Sequence, residues 1–280
     1  MTPARFPTFG QELYLRETVM AAKLLAELGL GRGASEAVAE RLSHPSPKTR
    51  ERIAAKLVQR LSSGASRADA APHFVRLVAG LQDATARREL IYYATTRADP
   101  LVRAIARDIL HTVLLDRATP AGARREELEP HRTGLLLTVE PVVSMRFVLD
   151  YAARVWGFTS RRSVLLALRI LRQAGITRTQ RLRGAAGLVT AVALAPHGIS
   201  LPTFVWCFMD EFGSAVPAPT VDRIERSSFA RTLVVSTAAV DARLDEAEQE
   251  GFVNTRLISG AHRVVPAMGA AETVDRILGG

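Results

Sequence analysis

The chain has 280 residues, a formal net charge of +9 and a sequence pI of about 10.6. Hydrophobic residues make up 48% of it, which is enough for one large or two ordinary cores and excludes wholesale disorder. A single cysteine, Cys207, excludes an internal disulfide and a cysteine-based zinc cluster. It is typical of a reducing compartment, and residues 1–7 contain no apolar signal core, so the sequence predicts a cytoplasmic protein.

The first 117 residues predict helices that are joined by short breaks. Apolar side chains recur near helical spacing in residues 12–28, 47–61 and 84–96. Another helix is predicted to begin at Asp99-Pro100, where an N-cap aspartate precedes a proline at the first helical position. No comparable strand pattern occurs, and we therefore expect an N-terminal helical bundle over residues 1–117.

A linker is predicted over residues 118–134. This stretch contains two prolines, two glycines and the mixed charge cluster Arg124-Arg125-Glu126-Glu127. A second domain, residues 135–280, is then expected to begin with the apolar run 135–143 and a helix across 145–156.

The window 151–209 is the most unusual part of the sequence, because it contains no Asp or Glu. It does contain eight arginines, at positions 154, 161, 162, 169, 172, 178, 181 and 183, and so supplies almost all of the net charge. These arginines cannot be neutralised locally. They require acids from elsewhere in the fold, water or an anionic partner, of which phosphate backbones are the commonest.

Four of these arginines lie on one face of a predicted helix. Ser160 is a candidate N-cap and Gly175 a candidate C-cap for it. At roughly 100° per residue, an arc of about 100° holds Arg161, Arg162, Arg169 and Arg172, while the apolar residues of the helix can face a core. The helix is expected to run into a basic loop that carries Arg178, Arg181 and Arg183.

Helix-turn-helix proteins use such a basic-faced helix and loop on DNA, so these seven arginines predict contact with nucleic acid. The alternative is a solvated face that pairs with acids of the other domain. A field of positive charge indicates affinity for anions without identifying which anion.

Residues 184–209 carry no formal charge and are long enough to allow a membrane span. Pro196-His197-Gly198 interrupts the run, and Pro202 follows shortly afterwards. The sequence therefore favours two buried helical pieces joined by a turn. A membrane segment flanked by arginines is the less favoured alternative.

The last 45 residues predict a helix, a β-hairpin and a final helix. Ser236 or Thr237 caps the first helix and Gly251 ends it; the hairpin turns at Ser259-Gly260 and the final helix covers 270–278. A helix followed by a hairpin is the outline of a winged helix. Its wing would present Arg256 and Arg263 to nucleic acid, although small winged-helix units also serve as protein-contact modules.

Catalytic constellations are absent from the sequence. The six histidines are far apart, and there is no phosphate-binding glycine loop with lysine and no nucleophile elbow. Asp210 and Glu211 could bind a metal, but adjacent acids after an apolar helix are far more often helix-end charges. We therefore expect no enzymatic activity, no cofactor and no metal.

The order of features across most of the chain resembles the BrxA-like proteins of bacterial phage-exclusion (BREX) systems. The resemblance rests on residues 13–28, the helix at 47–61, Ile91-Tyr92-Tyr93, residues 99–102, Ala174-Gly175-Ile176, residues 199–204 and Arg263-Val264-Val265. It implies a helical protein with some likeness to NusB-type antitermination factors and with winged-helix character. It also implies binding of double-stranded DNA and a non-catalytic part in phage defence.

The sequence as a whole thus predicts a mainly α protein: an N-terminal bundle, then a basic helical domain with winged-helix character and a small C-terminal β-hairpin. The leading hypothesis is a cytoplasmic DNA-binding accessory protein that acts with other components of a defence system. Two alternatives stay open: a scaffold that docks an acidic partner protein, and an RNA-binding factor of the antitermination kind.

Overall fold

The computed structural model describes residues 13–117, 142–184 and 187–279. The fold is mainly helical with two small antiparallel sheets, which confirms the predicted class at that level. In chain order the helices are α1 (Leu15–Leu28), α2 (Ala34–Arg41), α3 (Pro47–Ser62), α4 (Ala71–Gly80), α5 (Ala84–Ala98), α6 (Pro100–Ala104), a π-helix (Ile105–Leu115), α7 (Met145–Trp156), α8 (Arg161–Gln173), α9 (Leu201–Phe212), α10 (Val221–Glu225), α11 (Ser228–Thr232), α12 (Thr237–Gln249) and α13 (Ala270–Gly279). The strands are β1 (Val142–Ser144), β2 (Thr177–Gly184), β3 (Gly187–Leu194), β4 (Val253–Ile258) and β5 (Ala261–Pro266).

The described residues form two compact units. Residues 99–197 form one, which we call the inserted unit. Residues 13–98 and 198–279 together form the other, which we call the split unit because the inserted unit interrupts it in sequence. This grouping differs from the predicted division into residues 1–117 and 135–280, and the predicted linker, 118–134, lies outside the described residues.

The two halves of the split unit share one core. The indole nitrogen of Trp206, on α9, donates to the carbonyl of Gly64 at 3.0 Å, and its ring lies 5.4 Å from that of Phe74 between centroids. The hydroxyl of the buried Tyr92, on α5, donates to the carbonyl of Thr232 at 2.9 Å. These buried contacts join residues far apart in sequence, so neither half buries its apolar face alone.

Gly64 sits where no side chain fits, because an added Cβ would collide with the ring of Phe74. We therefore expect Gly64→Ala to destabilise the split unit by about 1–3 kcal/mol, the usual cost of overpacking a filled core. Chemical denaturation measures this loss. Gly31→Ala is the matched control, since nothing lies within 4 Å of that position; equal stability of the two variants would contradict the packing argument.

The inserted unit places a three-stranded sheet beside its helices. The sheet has the order β1-β3-β2, with both neighbouring pairs antiparallel. Helix α8 packs against α6, α7 and β2. A four-residue turn, 157–160, joins α7 to α8; it begins with Gly157 at a φ of 64°, a conformation that favours glycine.

Strands β2 and β3 correct the sequence prediction. The expected basic loop at 178–183 is part of β2, and the first of the two helical pieces expected in 184–209 is β3. The second piece is helical, as α9. Each residue of β2 pairs with one residue of β3. The threonines, arginines and leucine of β2 follow a period of two, and a search for helical periodicity does not detect such a strand.

The other predicted elements of the second half of the chain are confirmed where the structure describes them. Helices α7 and α8 lie where expected, and the Ser236 side chain caps α12 by accepting from the amide of Ala239 at 3.3 Å. The C-terminal hairpin pairs β4 with β5 around Ser259-Gly260. Among the described helices, none is both long and apolar enough to cross a membrane.

Candidate nucleic-acid interface

Helix α8 separates an apolar face from an arginine face. The Ser160 side chain caps the helix by accepting from the amide of Ser163 at 3.4 Å, and Gly175, with a φ of 81°, follows its C-terminal end. One face is buried in the inserted unit through Val164, Ala167, Leu168, Ile170 and Leu171. The opposite face is exposed and carries Arg161, Arg162, Arg169 and Arg172, as the sequence predicted.

Three of the four arginines on this face are not neutralised by any carboxylate of the described residues. Arg161, Arg162 and Arg172 form no ion pair with a carboxylate of the residues that the structure describes. Leu165, which is 39% exposed, lies among them on the same face. The surface is therefore cationic with one apolar side chain at its centre, a combination that suits an anion with apolar parts, such as a nucleic-acid backbone with its sugars and bases.

Strand β2 adds a second row of arginines. Successive residues of a strand point to opposite faces, so Arg178 and Arg181, three apart, lie on different faces of β2. The side chain of Arg181 is exposed and that of Arg178 is half-buried. For Arg183 the structure gives the backbone pairing with Leu188.

The far end of the β2–β3 hairpin extends beyond the three-stranded part of the sheet. In the described part of the chain, strand β1 pairs with Ala191, Val192 and Ala193, near the C-terminal end of β3. At the other end of β3, Leu188 is 76% exposed and Thr190 is also exposed. The hairpin therefore continues as a two-stranded ribbon that carries Arg181 and Arg183.

The two arginines predicted on the C-terminal hairpin belong to the split unit. Arg256 of β4 and Arg263 of β5 lie directly opposite each other in the hairpin. The Arg256 side chain is exposed, whereas Arg263 donates through Nη1 to the carbonyl of Ala218 at 2.6 Å. Helix α12, which precedes this hairpin, carries one arginine and four acids, namely Asp241, Asp245, Glu246 and Glu248. The C-terminal hairpin thus follows an acidic helix, in contrast to β2–β3.

Asp210 and Glu211 both serve the fold of the split unit. The Asp210 carboxylate accepts hydrogen bonds from the amide and hydroxyl of Ser66, from the Tyr93 hydroxyl at 2.7 Å and from Arg97 at 3.2 Å. Glu211 accepts from the amides of Ser228 and Phe229, at the start of α11, each at 3.0 Å. Within the described ranges, no group of three His, Cys, Asp or Glu side chains could hold a metal ion.

Burial also makes the nearby thiol and phenol unreactive. It raises the pKa of Cys207 well above its usual value, so the thiol stays protonated at neutral pH. Burial likewise raises the pKa of Tyr93, and the carboxylate of Asp210, which accepts from its hydroxyl, raises it further. Neither group has the lowered pKa that an activated nucleophile requires.

Reasoning from the sequence found the arginines of α8 and missed the ribbon that carries Arg181 and Arg183. One signal for the ribbon was present: Thr177-Arg178-Thr179-Gln180 combines β-branched residues with period-two spacing. Comparisons with protein-family models, curated proteins and solved structures give no match. The geometry and charge of the inserted unit are therefore the features that indicate a function.

Proposed function

We propose that the inserted unit is a winged-helix domain that binds double-stranded DNA. The support is its order of elements: a helix, β1, α7, a short turn, α8, then β2 and β3, with the sheet ordered β1-β3-β2. In a helix-turn-helix, the second helix enters the major groove. Here that helix is α8, and the β2–β3 ribbon is the wing.

The observation that carries this proposal is the exposed arginine face of α8. It occupies the position of a recognition helix, and no carboxylate occurs within residues 151–209 to neutralise it. Arg161 and Arg162 lie in the first turn, where a recognition helix approaches base edges, and arginine can bond to guanine there. Arg169, Arg172, Arg181 and Arg183 would contact phosphates, which fix register without reading sequence. The half-buried Arg178, on the other face of β2, is left out of the proposed site.

Duplex DNA fits this surface better than duplex RNA does. The major groove of B-form DNA is about 12 Å wide and admits a helix or a two-stranded ribbon. The major groove of A-form RNA is deep and narrow, and side chains cannot read it. A helix and a ribbon that both carry arginine therefore favour DNA over the antitermination-like alternative.

The split unit contains a similar order of helices and a hairpin, but the helix before its hairpin is acidic. Helix α9 is followed by Thr220, which bridges to Arg263 of β5, then by α10, α11, α12 and the β4–β5 hairpin. We propose that this second winged-helix-like part, built beside the helical bundle α1–α5, is a protein-contact module. The four acids of α12 would repel phosphate, so Arg256 and Arg263 are left out of the proposed DNA site.

The cellular role that we propose is that of a non-catalytic, cytoplasmic accessory protein of a BREX-type antiphage system. This role rests on the resemblance of the order of sequence features to that of the BrxA-like proteins. DNA binding by the inserted unit would suit such a role, since the chain would bring other components of the system to DNA.

A competition experiment tests the DNA proposal against its two alternatives. The protein should bind labelled duplex DNA at low salt concentration. The logarithm of the affinity should fall linearly with the logarithm of the salt concentration, with a slope of about −0.9 for each phosphate contacted. Unlabelled duplex of unrelated sequence should displace it, while duplex RNA and polyglutamate of equal charge should compete at least about tenfold less well. If polyglutamate competed best, the hypothesis of a scaffold for an acidic partner would replace our proposal. If duplex RNA competed best, the hypothesis of an RNA-binding, antitermination-like factor would replace it.

A further inference from the structure

A groove between α1 and α5 of the split unit combines an apolar floor with a cationic rim. It has a volume of about 500 Å³. Leu15, Val19 and Met20 of α1 and Ala84 and Ile91 of α5 form the floor. The rim consists of four cations, Arg16, Lys23, Arg87 and Arg88.

The four cations of the rim are not neutralised within the described residues. None of them forms an ion pair there, and no carboxylate lines the groove. The Nε of Arg88 is buried and has no hydrogen-bond partner among these residues. The four cations of the rim therefore keep charge that the described part of the chain does not offset.

The lining residues recur at helical spacing along about two turns of each helix. On α1 they recur at positions 15, 19 and 23, and on α5 at 84, 87, 88 and 91, so each helix contributes one continuous face. Eight residues of helix rise by about 12 Å, or roughly two turns. Two such faces side by side can accommodate the apolar stripe of a third helix at positions i, i+3, i+4 and i+7.

We infer that the groove between α1 and α5 binds an acidic amphipathic helix of a partner protein. The apolar stripe of that helix would cover Val19, Met20 and Ile91. Carboxylates on its two flanks would meet Arg16 and Lys23 on one side and Arg87 and Arg88 on the other. This site is separate from the proposed DNA site and does not depend on it, because all of its residues belong to the split unit.

The test uses the full chain with Arg161, Arg162, Arg169 and Arg172 changed to glutamine, so that the arginine face of α8 cannot capture an acidic probe. The probe is a fluorescent synthetic helix of about five turns with a leucine stripe flanked by glutamates. Its counterpart has the same stripe flanked by lysines. Fluorescence anisotropy should show saturable binding of the glutamate peptide and at least about tenfold weaker binding of the lysine peptide.

Two double variants locate the site. Arg16→Glu with Lys23→Glu replaces two attractions with two repulsions at exposed positions and should weaken binding of the glutamate peptide by at least about tenfold. Lys48→Glu with Arg52→Glu, on the exposed surface of α3, makes the same change of charge elsewhere and should leave binding unchanged. Thermal melting confirms that both variants fold.

Three outcomes would overturn the inference. Equal binding of the glutamate peptide to both double variants would move the site elsewhere. Loss of all peptide binding in the α8 glutamine background, with binding retained by the wild-type chain, would assign acidic partners to the arginine face. Displacement of the peptide by decanoate at similar concentration would identify the groove as a pocket for a small amphipathic anion.

Discussion

Changing Arg161, Arg162, Arg169 and Arg172 together to glutamine is expected to lower the affinity for duplex DNA by at least about 100-fold while leaving the fold intact. Hydrogen bonds to charged groups contribute about 1.5 kcal/mol or more each, so the loss of only two such contacts gives that factor. Glutamine is a good helix former, and all four side chains are exposed, so α8 should keep its apolar packing.

The dependence of DNA affinity on salt concentration tests this variant more specifically than a single affinity does. The slope of log affinity against log salt should become shallower by about 0.9 for each phosphate contact removed. The matched control changes four exposed cations of the split unit, Arg32, Arg41, Lys48 and Arg52, to glutamine and removes the same total charge. Both proteins are titrated with labelled duplex at several salt concentrations; equal losses would mean that total charge, and not α8, governs binding.

Asp210→Ala should lower the free energy of unfolding by about 3 kcal/mol or more. The Asp210 side chain is completely buried and holds Ser66, Tyr93 and Arg97 together. Its removal leaves the buried Tyr93 hydroxyl without its acceptor and Arg97 without this carboxylate, although Arg97 still donates to the carbonyl of Ser63. We use the lower end of the range because the Arg97 side chain is 32% exposed, and water can compensate part of its charge.

Denaturant unfolding, followed by circular dichroism, measures this loss. Asp69→Ala is the control, since Asp69 is exposed and pairs with the exposed Arg67 on the surface. The control should unfold close to the wild-type midpoint. A small loss for Asp210→Ala would contradict the prediction and mean that the network around Asp210 contributes little to the stability of the split unit.

Local sequence signals were sufficient for the elements that end in recognisable caps. Ser160 and Gly175 bracket α8, and Ser236 begins α12, because a side-chain cap or a left-handed glycine is a property of a few neighbouring residues. The exposed arginines of α8 followed from the same periodicity. This part of the candidate site could be predicted because one helix positions all four side chains.

Features that depend on distant residues were not predictable in this way. The run 187–194 is apolar apart from Thr190, so its periodicity cannot distinguish a buried helix from a strand. Its pairing with β1 joins residues some fifty positions apart. Asp210 resembled a helix-end charge until packing placed it against Ser66 and Tyr93. Arg263 resembled a wing contact, and its bond to the carbonyl of Ala218 depends on how the chain folds back.

The interruption of the split unit sets an order of events during synthesis. A ribosome adds roughly 5–20 residues per second, so α1–α5 emerge several seconds or more before Trp206 can reach Gly64. During that interval the inserted unit emerges complete, with its own core. Until residues 198–279 are made, the apolar surface that α1–α5 bury against them stays uncovered, so the split unit completes its core only at the end of synthesis.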